Sequence, residues 1–436
     1  MFKRRTLILS LLVIVGLLAA IFSTAESDGR IETLPEGASG PASTARLSAS
    51  VQAAEPQKTG TVGASASLAP RQAQPGSGFG HAIAVDGDTV VVGAPQSDAG
   101  RGAVYVFVRD GKSWRETSRL VASNRAANDA FGQSVAISAG TIVVGASGQD
   151  ARGFNTGAAY IFQLEKAGWV ESAKLLPASA QDVHFGWSVA VDGDTLAVGA
   201  PYRYLQGEIS KVGSVSVFTR QDRGWEQQVR LTSGRSGGAV NNDLFGWSVD
   251  IHASRLAVGA YLSNAVYLYQ LSDGRWQQET LLKGPRSSAQ FGYSVSLDKD
   301  MLAVGAPATN SRGMRTGTAF LYLRQSQGWQ EQSQISTDRL RPGSRLGWSV
   351  SLQGDLLAVG MRESDGPGDN KEAGGAYALR IASERLSQTT ELYAPDPAPF
   401  DHFGSAVAVS AQTIFVGAPG SANAPGVVAA FEMQGK

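Results

Sequence analysis

From residue 81 onward the chain alternates. His81 to Val85 steps between larger and smaller side chains, Asp86-Gly87-Asp88 interrupts, and Thr89 to Val92 resumes the apolar pattern. Alternation on both sides of an Asp-Gly step predicts a tight β-hairpin. A glycine then precedes a third predicted strand, Ala103 to Phe107, matched further on by Ala158 to Phe162 and Ser214 to Phe218. A polar or Gly-Trp turn leads into a fourth, in which Trp stands six residues before Leu or Ile: Trp114/Leu120, Trp169/Leu175, Trp225/Leu231, Trp276/Leu282 and Trp329/Ile335. Leu386/Leu392 keeps the spacing without the Trp.

This four-strand unit recurs. Phe-Gly appears at Phe79, Phe131, Phe185, Phe245, Phe291 and Phe403, with Leu346-Gly347 in the remaining place, which makes seven cycles. Fourteen residues after each comes the glycine of a Val-Gly step: Gly93, Gly145, Gly199, Gly259, Gly305, Gly360 and Gly417. Four short strands in a period of about 50 residues predict an all-β, seven-bladed β-propeller of antiparallel blades. In the first strand of each cycle one face is bulky and the other small, as in Trp187, Val189 and Val191 against Ser188 and Ala190. A bulky face meeting the small face of the next blade fills the gap without overpacking. The seventh cycle ends after three strands, Val427 to Phe431 being the third. Val62 and Leu68 have the outer-strand spacing, so residues 62 to 69 are expected to complete the last blade and remove two open edges.

Composition narrows the function classes. Lys+Arg and Asp+Glu are both 38, which argues against a nucleic-acid binder or a polybasic membrane binder. Cysteine is absent, so there is no disulfide, thiolate metal site or Cys nucleophile. Residues 1–25 read as a signal peptide, with Lys3-Arg4-Arg5, an apolar run from Thr6 to Phe22, and Ala25 as the last residue; the alternative is an uncleaved membrane anchor. Either way the remainder is expected to be exported: secreted, periplasmic or associated with the cell envelope. It would touch a membrane only if this segment is retained. Residues 26–60, rich in Ala, Ser, Gly, Glu and Pro, read as a disordered linker, and 61–436 as the propeller, expected to be a monomer.

The Phe-Gly and Gly-Ala pairs resemble the FG-GAP repeat, the unit of the seven-bladed propeller at the head of integrin α subunits. The resemblance implies a head that binds a protein or glycan partner, not a particular enzyme. Many FG-GAP repeats carry an Asp-rich calcium loop between the first two strands. Here that space holds only Asp86-Gly87-Asp88, Asp192-Gly193-Asp194 or Asp298-Lys299-Asp300. Calcium takes six to eight oxygens from a loop that wraps it, so these read as turn formers and no metal or cofactor is expected.

Catalytic motifs are sparse, and no catalytic residue is nominated. His81 and His402 fall on blades that close against each other, without a recognisable third ligand. The residue after Phe-Gly is the more informative place. His81, Trp187, Trp247, Tyr293 and Trp348 stand there, a candidate rim at the channel mouth. Integrin α propellers similarly use rim aromatics to hold a basic side chain. The competing reading is packing between blades. Variable loops between strands 2 and 3 supply further candidates: Arg203, Tyr204 and Glu208 in blade 3, and Arg362, Asp365 and Asp369 in blade 6. Asp250 is a polar outlier, a carboxylate where other blades carry Ala or Ser. Three functions follow: a non-enzymatic extracytoplasmic binding or scaffold protein, a propeller enzyme acting on glycans, or a purely structural envelope protein.

Overall fold

The computed structural model describes residues 57–58 and 62–433, apart from 206, 237–238, 241, 286–289, 312–313, 337–339 and 383–384. The signal segment and nearly all of the linker lie outside the described residues. Within the linker, Gln57–Lys58 pair in parallel with Gln388 and Thr389, on the outer strand of blade 6.

Seven sheets form the blades, each with four antiparallel strands, the sixth carrying Gln57–Lys58 as an added parallel strand. Blade 1 runs Ala82–Asp86, Thr89–Ala94, Ala103–Asp110 and Ser113–Leu120. Blades 2 to 6 repeat this order from innermost strands Phe131–Ser138, Ser188–Asp192, Ser248–His252, Ser294–Asp298 and Leu346–Gln353. Blade 7 is built from Ala406–Ser410, Thr413–Ala418 and Val427–Glu432, and its outer strand is Ala66–Leu68. Ala66, Ser67 and Leu68 stand opposite Ala430, Ala429 and Val428. The last blade is thus completed from the other end of the chain.

The bulky-to-small interleaving is present at successive seams. Ala136 of blade 2 packs with Val189 and Val191 of blade 3. Ala190 of blade 3 packs with Val249 and Ile251 of blade 4, and Ala408 of blade 7 with Ile83 and Val85 of blade 1. The Phe of each Phe-Gly step is fully buried, and Leu346 fills the same role. Each such ring meets third-strand aromatics edge-on, as Phe245 does with Tyr267 at 5.1 Å.

The fixed 14-residue spacing has a geometric cause. The N–H of Gly246 donates to the carbonyl of Gly259 within blade 4, at 3.1 Å. Gly246 sits at φ +87°, where a Cβ is disfavoured. A Cβ on Gly259 would lie 2.0 Å from the carbonyl oxygen of Gly292, the Phe-Gly glycine of blade 5. The Val-Gly glycine of one blade is therefore the floor on which the next blade's Phe-Gly step rests. A serine two places after the Phe-Gly glycine reinforces five of the seven seams: Ser134, Ser188, Ser248, Ser294 and Ser349 donate to the carbonyls of Gly186, Gly246, Gly292, Gly347 and Gly404 at 2.9–3.0 Å.

The short inner turns also tie blades together. One carboxylate of each turn accepts a backbone N–H from the next blade: Asp86 from Ala139, Asp192 from Ala253 and Asp298 from Gly354. The second carboxylate meets an arginine, Asp88 with Arg109, Asp194 with Arg220 and Asp300 with Arg255. These acceptors are committed to seams and hairpins. Calcium removal by a chelator is therefore expected to leave the melting temperature within about a degree; a larger drop, reversed by calcium alone, would contradict this assignment.

Candidate functional site

The strands of blades 3 to 6 bring four rings into one arc. Each ring follows a Phe-Gly step at the start of an innermost strand, so the scaffold fixes its height and azimuth. Trp187 and Trp247 have centroids 4.6 Å apart, Trp247 and Tyr293 5.5 Å, and Tyr293 and Trp348 4.8 Å. Successive planes are tilted by 45°, 49° and 48°. That is close to about 51°, one seventh of a turn, so each ring holds nearly the same attitude within its own blade. All four residues are half-buried, and each touches a neighbouring ring. Packing and exposure thus coexist in the same side chains.

A second tier, set just after the second strands, supports the arc. Tyr202 reaches Trp187 at 6.4 Å and His184 at 5.5 Å. Tyr261 stands edge-on to Trp247 at 4.8 Å and lies 5.4 Å from Tyr293. Tyr261 occupies the place after Gly-Ala that is proline in four other blades, and that exchange was the sequence signal of its role. Burial pushes the Tyr261 hydroxyl up to about 12 and moves that of Tyr293 higher still, so both phenols are neutral at physiological pH.

The arc ends on charge. Arg362 lies not in a free loop but over the Trp348 ring, its guanidinium carbon 4.8 Å from the centroid. Its Nε donates to Ser405 Oγ at 3.1 Å, and its Nη1 to Glu363 Oε1 at 3.3 Å. Arg345 approaches the same ring at 5.8 Å and donates to Glu363 Oε2 at 2.5 Å. His81, half-buried across the closing seam, is held neutral. Burial first, then the field of Arg362, lowers its pKa to about 4.

The remaining candidates fall elsewhere. The blade 3 loop is a hairpin, Tyr202–Leu205 with Glu208–Ser210, rather than an irregular segment. It is fastened at its base, where Asp182–Val183 pair with Tyr202 and Arg203 and the buried Asp182 carboxylate meets Arg230 in a two-pronged ion pair. Arg203 donates to Gln181, and Glu208 faces solvent. Tyr204 and Ile209 form an exposed cross-strand pair at the tip. In blade 6, Asp365 accepts from Arg341 at 2.6 Å and from the backbone of Glu372 at 3.1 Å. Asp369 closes a short 3-10 turn, Pro367–Asp369.

Asp250 is half-buried rather than fully buried, and both its oxygens are engaged. Oδ1 accepts from Ile251 N at 2.9 Å, and Oδ2 from Leu297 N of blade 5 at 2.7 Å. Ser296 and Ser351 make the same bond to the blades that follow, to Leu352 N and Val409 N. Asp250 is therefore the blade 4 version of an inter-blade tie. Burial raises its pKa to about 7, against the opposing backbone bonds. A carboxyl with a raised folded pKa stabilises the fold below its unfolded value and loses that contribution as pH rises toward 7. Replacing Asp250 with Ser should flatten the fall in stability between about pH 4 and 7, by at most about 4 kcal/mol, in melts across that range. An unchanged slope would place the titrating group elsewhere.

No curated protein matches the sequence. Among solved structures, a chain of a mitotic checkpoint complex superposes with a TM-score of 0.53 at 12% identity, over 94% of this chain and all of that one. Sqt1 of Saccharomyces cerevisiae gives 0.49 at 10% identity, over 86% of this chain and all of Sqt1. A Lactobacillus plantarum protein gives 0.47 at 17%, over 76% and 87% of the two chains. The first supports the fold alone. The model of the FG-GAP repeat matches seven times, at residues 63–107, 114–162, 169–218, 225–269, 280–322, 329–379 and 386–430, each match running from the outer strand of one blade through the first three strands of the next. The chain belongs to the FG-GAP repeat family.

Proposed function

We propose that this propeller is a non-enzymatic binding or scaffold protein that works outside the cytoplasm and takes a protein or glycan partner on the face bearing the arc. The observation that carries the reading is the row of four half-exposed rings in mutual contact on a rigid inner wall. Aromatic side chains supply large contact area at low entropic cost, which suits recognition on a fixed scaffold. The exposed Tyr204/Ile209 tip is fastened to blade 3, whose inner strand begins with Trp187. Export rests on the signal-like first 25 residues.

Two variants test this reading. Trp247 touches Trp187, Tyr261 and Tyr293, so Trp247→Ala should cost about 1–3 kcal/mol in stability. It should still fold and should lose the partners that the wild type retains from envelope extract. Trp276→Ala, at a buried outer-strand ring, should destabilise without changing those partners. Identical partners on wild type and Trp247→Ala would refute the binding face.

A further inference from the structure

We propose that the arc takes an acidic, carboxylate-bearing glycan, with Arg362 as its anion anchor, and does not take a cation; this rests on the binding-face reading above. The place for a cation is already filled. Arg362 and Arg345 both stand within about 6 Å of the Trp348 centroid, the range over which a ring attracts a positive charge. The other rings are in direct contact, at 4.6–5.5 Å, so no slot between them admits an ammonium or guanidinium group. A guest cation would meet two resident guanidinium groups on Trp348 and closed ring contacts elsewhere.

An anion finds the opposite conditions. Arg345 and Arg362 share the single carboxylate of Glu363, with Glu372 adding only its field. Nη2 of Arg362 has no partner among the described residues, and the side chain is 27% exposed. A guanidinium nitrogen not engaged within the protein suits a carboxylate oxygen. His81 is neutral, so the positive charge at this end of the arc comes from the two arginines over Trp348.

The remainder of the arc favours sugar rings over a peptide. Its three centroid steps make it longer than one six-membered ring, so a chain of rings can lie across it. The C–H faces of such rings bury area on aromatics without needing charge. Tyr261 and Tyr293 keep their hydroxyl protons, so neither adds negative charge that would repel a carboxylate.

The test is titration of intrinsic Trp fluorescence with an oligogalacturonate and with its methyl ester, which keeps the rings and removes the charge. The acid should bind at least about tenfold more tightly than the ester. Arg362→Gln should abolish that difference, Arg362→Lys should retain part of it, and Trp247→Ala should weaken both ligands, each variant checked by its melt. If Arg362→Gln does not fold, added salt on the wild type takes its place: it should weaken the acid and leave the ester unchanged. Equal affinity for acid and ester, tighter binding of oligoarginine, or binding of neither sugar would overturn the proposal. A basic or neutral ligand lost on Trp247→Ala would leave the binding face standing with another ligand class. Partner capture unaffected by Trp247→Ala would remove the face itself.

Discussion

Gly259→Ala should lower stability by about 3–5 kcal/mol, a large effect for one added methyl group. The new Cβ would sit 2.0 Å from the backbone oxygen of Gly292 and 2.2 Å from Ser248 Oγ. A flexible side chain can yield, but a backbone carbonyl held at a blade seam does not. The Gly292 oxygen accepts from Ser248, and the N–H of the same peptide, that of Tyr293, donates to the Gly305 carbonyl at 3.2 Å. Moving that peptide to relieve the clash breaks both bonds and leaves buried polar groups without partners. Gly63→Ala is the control, since nothing lies within 4 Å of a Cβ built there. Equal melting temperatures for Gly259→Ala and wild type would show that the seam has slack the geometry denies.

That seam also marks how far the sequence could be read. The invariant spacing from Phe245 to Gly259 identifies a repeat, and alternation identifies strands, because both are properties of one chain segment. The reason for Gly259 lies in another blade, at the oxygen of Gly292, and no local pattern displays it. Ser188 was legible as a small residue on a small face. That it and Ser248 are hydrogen-bond donors across the seam required the neighbouring blade. Asp250 was legible as an anomaly for the same reason, and its tie to Leu297 N was not.

The candidate site divides similarly. Trp187, Trp247, Tyr293 and Trp348 could be aligned because the repeat puts equivalent positions at equivalent places, and the structure brings them into contact. Arg362 was legible only as a variable-loop residue. Its placement over Trp348 comes from the blade 6 turn folding back toward Ser405 of blade 7. The hairpin bearing Tyr204 was hidden because Tyr202–Leu205 and Glu208–Ser210 are short and polar, and gain stability from Asp182–Arg203 pairing outside the repeat unit.

A chain beginning at residue 75 should melt well below one beginning at residue 62. The lost segment contains the outer strand of blade 7, where residues from the two ends of the propeller share one sheet. Leu68 is 1% exposed and packs with Phe79 and Val428, so its burial alone is worth about 2–3 kcal/mol. Ser65 N donates to Ala430 O at 2.8 Å and Ser65 Oγ to the same oxygen, while Arg71 reaches back to Glu116 of blade 1. Without these contacts the strand Val427–Glu432 becomes an open edge carrying apolar Val428 and Ala430, which invites association between molecules. The shortened chain should therefore both melt earlier and sediment as larger species. A peptide of residues 62–74 added in trans should restore part of the melting temperature by adding back the missing strand, which separates loss of that strand from general damage. The chain beginning at 62 keeps the strand and lacks Gln57–Lys58, so its melt measures what the parallel pairing on blade 6 contributes. Two residues at a sheet edge contribute little, and that chain should match full length within a few degrees. If the chain beginning at 75 melts with full-length protein and stays monomeric, the closure is not what holds the seventh blade.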